Sequence, residues 1–262
     1  MIKPVKHIDV SDKDRFHLEA IVRNRTFDPA ASVQPATYRD RVVVKPWGYE
    51  FLIFENPEVA VWFLRVKKDH ATSMHCHPGK RTSLTLLSGK ALCNTFRHRN
   101  FLCAGDSLNI AAGVFHSTKA LSLDGLFVIE TEMPNMKTDL VRLEDKYGRA
   151  GLGYEGFNRM CTDNLGEFEY FRLEDADGPA SRYALGRLFS ISLERYSSAD
   201  EFSRMFRIEA GATYCVCHAS LRTSDDAVMV RVGETERGTY LSQAGRLLTE
   251  GDLLLMKMMV FN

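Results

Sequence analysis

From residue 42 the chain falls into short apolar runs, at 42–44, 51–54, 59–66, 84–87, 107–110 and 126–131, with glycine, proline or asparagine between them. Each run has the length of a strand. Many short strands separated by turn residues predict an all-β sandwich or barrel. The first forty residues read differently. Ser11 can cap a helix with Asp14 three positions on, and Phe16, Ala20 and Ile21 would share its buried face. Pro29 and Pro35 end that helix and leave an arm. Residues 150–182 are rich in glycine and acidic positions and read as a connector. Strand-like runs then resume at 188–193, 205–208, 228–232 and 253–256, with a short helix opened by Ser198 and Glu201. Four segments follow: an N-terminal arm (1–40), a β-domain (41–149), the connector, and a second β-unit (183–262).

The two β-segments are expected to be related. AGDSLNIAAGVFH (104–116) and EGDLLLMKMMVFN (250–262) share Gly, Asp, Leu, Val and Phe at equal spacing. On that alignment Cys215 and Cys217 fall near His75 and His77, and Asn262 falls at His116. The second unit would then be degenerate and truncated, one strand short. The open edge is expected to be covered by the N-terminal arm or by a partner chain in a homodimer.

Lys plus Arg and Asp plus Glu are both 34, so the formal net charge is zero. Neither nucleic acid nor an anionic membrane is indicated as a partner. No apolar run approaches a membrane span, and the polar start MIKPVKHIDVSDKD predicts no signal peptide. The six cysteines are therefore expected as free thiols in the cytoplasm.

The chemistry concentrates in the first β-segment. His75 and His77 form an H-x-H pair, and residues two apart on a strand face one side. Gly89, Gly105, Gly113 and His116 follow at spacings that bring a third imidazole from another strand. Three converging imidazoles suit one divalent transition metal, Zn, Fe, Ni or Mn, with open positions for water or substrate.

These residues resemble the two motifs of the cupin superfamily. The first, H-x-H then Glu then Gly, runs here as His75, His77, Thr82, Gly89; the second, Gly then Pro-x-Gly then His, runs as Gly105, Ala111, Gly113, His116. The resemblance implies a cupin barrel, a double-stranded β-helix of jelly-roll type, followed by a degenerate cupin-like unit in a bicupin-like arrangement. Thr82 stands where the family has a carboxylate ligand, so a three-histidine site is expected. KPWGYE (45–50) and TDLVRLEDKYGR (138–149) are similar to the flanks of the isomerase domain of type II mannose-6-phosphate isomerases, which often follows a mannose-1-phosphate guanylyltransferase domain. That likeness spans residues 42–149.

The resemblance implies a metal-dependent enzyme acting on a sugar or sugar phosphate, of isomerase or epimerase type. Glu130 aligns with a glutamate in that family's L-I-E-x-Q strand and is the expected base, with Glu132 on the same face. Lys80 beside the histidines is a second catalytic candidate. Arg81, Thr82 and Arg142 are the expected substrate contacts. Two other functions fit the same histidines: a three-histidine iron dioxygenase, and a non-catalytic sugar-binding or regulatory cupin. Trp47, Trp62, Cys215 and Cys217 are expected as packing residues.

Overall fold

The computed structural model describes residues 4–24, 35–149, 153–175 and 181–261; Pro29 and Asn262 lie outside them. The arm forms β1 (Lys6–Ile8) and α1 (Asp12–Asn24). The first unit then runs β2 (Val42–Lys45), β3 (Gly48–Glu55), β4 (Ala60–Val66), β5 (Met74–Cys76), β6 (Arg81–Ser88) and β7 (Lys90–Thr95). It continues with β8 (Arg99–Cys103), β9 (Ser107–Ile110), β10 (His116–Ala120), β11 (Leu126–Met133) and β12 (Val141–Glu144), and the connector adds β13 (Met160–Cys161). Two sheets result, ordered β1-β9-β6-β11-β4-β3-β2-β13 and β12-β5-β10-β7-β8. The four-strand cores β9-β6-β11-β4 and β5-β10-β7-β8 make a jelly roll, the double-stranded β-helix of cupin barrels.

The large sheet is apolar on both faces, which is why its strands read as unbroken hydrophobic runs. Along β4, Trp62, Leu64 and Val66 face the barrel interior with Leu84, Leu86, Leu108 and Val128. The alternate residues Val61 and Phe63 face outward with Phe51, Phe127 and Ile129. That outer face packs against the second unit, through Phe189, Ile191, Cys215, Leu254 and Met256. The two units therefore share one core.

The second unit comprises β14 (Ser181–Leu185), β15 (Phe189–Tyr196), α2 (Ala199–Met205), β16 (Ala212–His218), β17 (Leu221–Arg222), β18 (Val228–Val230), β19 (Thr235–Arg237), α3 (Gly238–Leu241) and β20 (Leu253–Val260). Its main sheet is ordered β14-β15-β20-β16-β19. This repeats β4-β11-β6-β9 as β15-β20-β16-β19. The partner sheet is reduced, among the described residues, to the pair β17-β18. Where β5 should stand between β15 and β16 there is α2, and where β10 should follow β19 there is α3.

This corrects the expected repeat in two ways. β20 is the counterpart of β11, not of β9, and it lies between β15 and β16 rather than at an edge. Cys215 and Cys217 lie on the counterpart of β6, so no strand equivalent to the H-x-H strand exists there. The shared Gly-Asp before both strands had imposed the wrong register. With β20 inside the sheet, the reason for expecting a partner strand falls away. The arm instead adds a parallel strand to the first barrel, Lys6–Ile8 beside Leu108–Ile110, and reaches the second unit through the Val5 N–H donated to Glu236. The expected strand at 205–208 is also absent: Met205 ends α2, and Phe206 and Ile208 pack on the second unit's own core from coil.

The cap of α1 forms as expected. Ser11 Oγ accepts from the Asp14 N–H at 3.2 Å, and the Asp14 carboxylate takes the Ser11 N–H at 2.7 Å. Of the expected face Ile21 does pack, with Leu18, against Cys76, Phe115 and Val141, but Phe16 is 68 % exposed and takes no part. All six cysteines are free. Among the described residues no helix is long and apolar enough to cross a membrane.

Candidate metal centre

β5 and β10 pair antiparallel with His116 directly opposite His75. His77 follows two residues after His75. Gly113 takes a φ of +80°, which favours glycine, and its N–H donates to the His77 carbonyl at 2.8 Å, pinning the second motif to the first. The ring centroids lie 4.5 Å (His75–His116), 5.0 Å (His75–His77) and 5.7 Å (His77–His116) apart. Glu130 joins them from β11, and one ligand atom from each of the four residues lies within 4.8 Å of every other.

Each imidazole is held from behind. Nδ1 meets the Ser73 carbonyl at 2.8 Å in His75, the Asp139 carbonyl at 2.6 Å in His77, and the Val114 carbonyl at 3.0 Å in His116. Nδ1 is thereby the protonated nitrogen, and Nε2 presents its lone pair inward. Burial pushes all three imidazoles below their ordinary pKa, which favours the neutral form that ligation requires. His77 Nε2 is buried with no hydrogen-bond partner and lies 3.8 Å from Glu130 Oε1. A cation bound by three imidazoles and one carboxylate accounts for that orphaned nitrogen. Burial, reinforced by Glu132, pushes the Glu130 carboxyl up to about 7.

The neighbouring strand thus offers a carboxylate where Thr82 has none. Thr82 pairs with Glu132 and Leu84 with Glu130 in the β6–β11 ladder. Glu130, expected as a base, sits among the donors. Thr82 is buried with Oγ1 unpartnered and is absent from the cavity wall, so its expected substrate contact is not supported.

His75, His77 and Glu130 line the floor of an open cavity. KPWGYE supplies Lys45, Trp47 and Glu50 to its wall, and the segment after β11 supplies Lys137. Arg142 and Arg149 come from the second flanking segment, and Tyr154 from the connector. The two segments that marked the family likeness thus meet around one space. Lys45 pairs with Glu155 and lies 3.4 Å from Glu50. Lys137 lies 3.0 Å from Glu50 and 3.4 Å from the centre of a Trp62 ring. Burial alone would lower the Lys137 ammonium, but Glu132 and Glu50 overcome it and hold the group above its ordinary pKa. Burial opposes ionisation of Glu50 as well, and Lys137 and Lys45 reverse that.

Two further expectations are corrected. Arg81 lies on the opposite face of β6, where it donates to the Val232 carbonyl at 3.3 Å and pairs with Glu234 at 3.7 Å; it clasps the second unit rather than substrate. Lys80 is fully buried, 2.7 Å from Glu132 and donating to the Met136 carbonyl at 3.0 Å, outside the cavity wall. Its position suits holding Glu132, not direct chemistry. Arg142 does line the cavity, beside His75 across the β12–β5 pair, but its guanidinium is engaged by Glu155 at 3.0 Å and by the Gly153 carbonyl. Lys45, Glu50, Lys137, Tyr154 and Glu155 were not identified from the sequence as site residues. Lys137, Tyr154 and Glu155 lie outside the strands and carry no periodicity, Lys45 and Glu50 are isolated charges on mostly apolar strands, and only the flanking segments hinted at them.

The arm braces this centre from outside. Asp14 caps α1 and also accepts the Phe115 N–H at 2.8 Å, one residue before His116. Asp14→Ala removes the cap and leaves a buried N–H unsatisfied, so about 2 kcal/mol of stability should be lost in denaturant titration. Asp14→Asn, which keeps an acceptor, should lose less.

No family model matches the sequence, and no curated protein matches it. Several solved structures are similar. KdgF from Halomonas sp. is 16% identical, covering 40% of this chain and 96% of that one, with a TM-score of 0.35. An RmlC-like cupin from Shewanella frigidimarina is 17% identical over 44% of this chain and 93% of that one, TM-score 0.32. A cupin 2 conserved barrel domain protein from Leptotrichia buccalis is 14% identical over 90% and 95%, TM-score 0.32. These likenesses are distant, and the fold assignment stands on the strand order.

Proposed function

We propose that the chain is a metal-dependent cupin acting on a sugar or sugar phosphate, in an isomerase or epimerase type of reaction. The observation that carries this is four converging donors at the foot of a cavity lined by hydrogen-bonding and aromatic side chains. His75, His77 and His116 would hold the ion through Nε2 and Glu130 through a carboxylate oxygen. When bound, such an ion supplies a Lewis acid for a carbonyl or a pair of adjacent hydroxyls. Glu132, on the same face as Glu130, faces the cavity with Lys80 fixing one of its oxygens. The dioxygenase reading is framed on three histidines alone; iron in the centre together with oxygen consumption would favour it over the isomerase reading.

Elemental analysis of untagged protein should find about one transition-metal ion per chain, and Glu130→Gln should weaken its binding at least about tenfold. Incubation of the metal-loaded protein with sugars and sugar phosphates should give aldose–ketose or epimer exchange by NMR. Metal-free protein that takes up no added zinc, iron, nickel or manganese would sink the reading. Full metal with no exchange across the panel would leave a binding protein instead of an enzyme.

A further inference from the structure

The four cations on the cavity wall are already neutralised. Lys45 has Glu50 and Glu155, Lys137 has Glu50 at 3.0 Å and Glu132 at 3.8 Å, Arg142 has Glu155 at 3.0 Å, and Arg149 has Asp145 at 2.7 Å and Glu155 at 2.6 Å. A phosphate ester entering here would meet cations whose charge is already offset, and would be repelled by the buried carboxylates that offset it. A divalent ion would add its charge at the histidine end, where Glu130 offsets half of it.

One group on the wall is left unsatisfied in the opposite sense. Glu132 is 2 % exposed; its Oε1 is taken by Lys80 at 2.7 Å, and its Oε2 is buried with no hydrogen-bond partner. A buried carboxylate oxygen lacking a donor is costly, and it repels an anion while favouring a hydroxyl. A phosphate oxygen, ionised at neutral pH, has no proton to give it.

We infer that the cavity takes an uncharged sugar or polyol, not a phosphate ester, and that a ligand hydroxyl donates to Glu132 Oε2. This rests on the metal-centre reading above and narrows its substrate class. Glu132 is then a binding residue set by Lys80 on one oxygen and by substrate on the other. Uncharged ligands that lack donors, such as methyl ethers, would be rejected, because the carboxylate oxygen would stay unpaired.

The test uses the full-length, metal-loaded protein and two pools, one of uncharged aldoses and alditols, the other of their phosphate monoesters. Saturation-transfer NMR should show binding from the uncharged pool, and calorimetry on its best member should give an affinity at least tenfold above that of its phosphate ester. Glu132→Gln should weaken that member at least tenfold with metal content unchanged. Preferential binding of phosphate esters, or undiminished binding by E132Q, overturns the inference. So does an absence of binding from both pools by fully metallated protein. Should E132Q fail to fold, the wild-type comparison of the pools decides alone. A protein that takes up no metal would instead overturn the reading beneath it.

Discussion

His77→Ala is expected to abolish stoichiometric metal binding, lowering affinity by at least about a hundredfold. Groups that merely orient a ligand are worth about 10–100-fold, and in the proposed centre His77 would itself be one of four donors. Its Nδ1 is fixed by the Asp139 carbonyl and its Nε2 has no other buried partner. The alanine leaves polar backbone behind but no orphaned imidazole, so the apo fold should persist. Chelator competition gives the affinity directly. A second readout is the melting temperature, which should rise with added zinc in the wild type and stay flat in the variant, because an ion that binds only the native state stabilises it by mass action. Equal metal uptake by the two proteins would place the ion elsewhere.

Phe63→Ala should cost about 3–5 kcal/mol, the range for deleting a buried aromatic ring. Phe63 is fully buried, with ring centroids 5.0 Å from Phe51, 5.3 Å from Phe127, 5.3 Å from Phe171 and 6.0 Å from Phe189. Phe51 and Phe127 belong to the first unit, Phe171 to the connector and Phe189 to the second unit. One substitution therefore loosens all three segments. Guanidinium titrations followed by tryptophan fluorescence, from Trp47 and Trp62 of the first unit, and by far-UV circular dichroism should shift together. Separate transitions, or a loss under about 1 kcal/mol, would show that the shared core does not couple the units. Phe16→Ala on the exposed side of α1 is the control, expected within about 0.5 kcal/mol of wild type.

The first barrel was legible in the sequence because short apolar runs and turn residues define strands, and the glycine–histidine spacings fix which strands meet. The three histidines converge as read. No fourth donor was expected, because its usual place holds Thr82, and only the β6–β11 register brings Glu130, read from the sequence as the base, beside the imidazoles. Strand alternation already put Glu130 and Glu132 on one face, but it could not say which of them reached the imidazoles. Arg81 failed for the converse reason: adjacency to His77 along the chain says nothing about the face, and the odd positions of β6 point to the second unit. The second unit's repeat misled because Gly-Asp precedes a strand in both halves, while the topology that distinguishes β9 from β11 depends on contacts far apart in sequence. The connector looked passive in composition, yet Tyr154 lines the cavity, Glu155 pairs with Lys45 of its wall and Phe171 enters the shared core.

β11 presents Val128, Glu130 and Glu132 to one side and Phe127 and Ile129 to the other. Because the side-chain period of a strand is two, inserting or deleting one residue before Val128 would exchange the contents of both compartments. Carboxylates would land among phenylalanine rings, and aromatic bulk would fill the space around the imidazoles. Length changes in this strand are therefore closed to the protein as a route of divergence. The loops at its ends are not bound in that way, and variation in what the protein recognises has to enter through them.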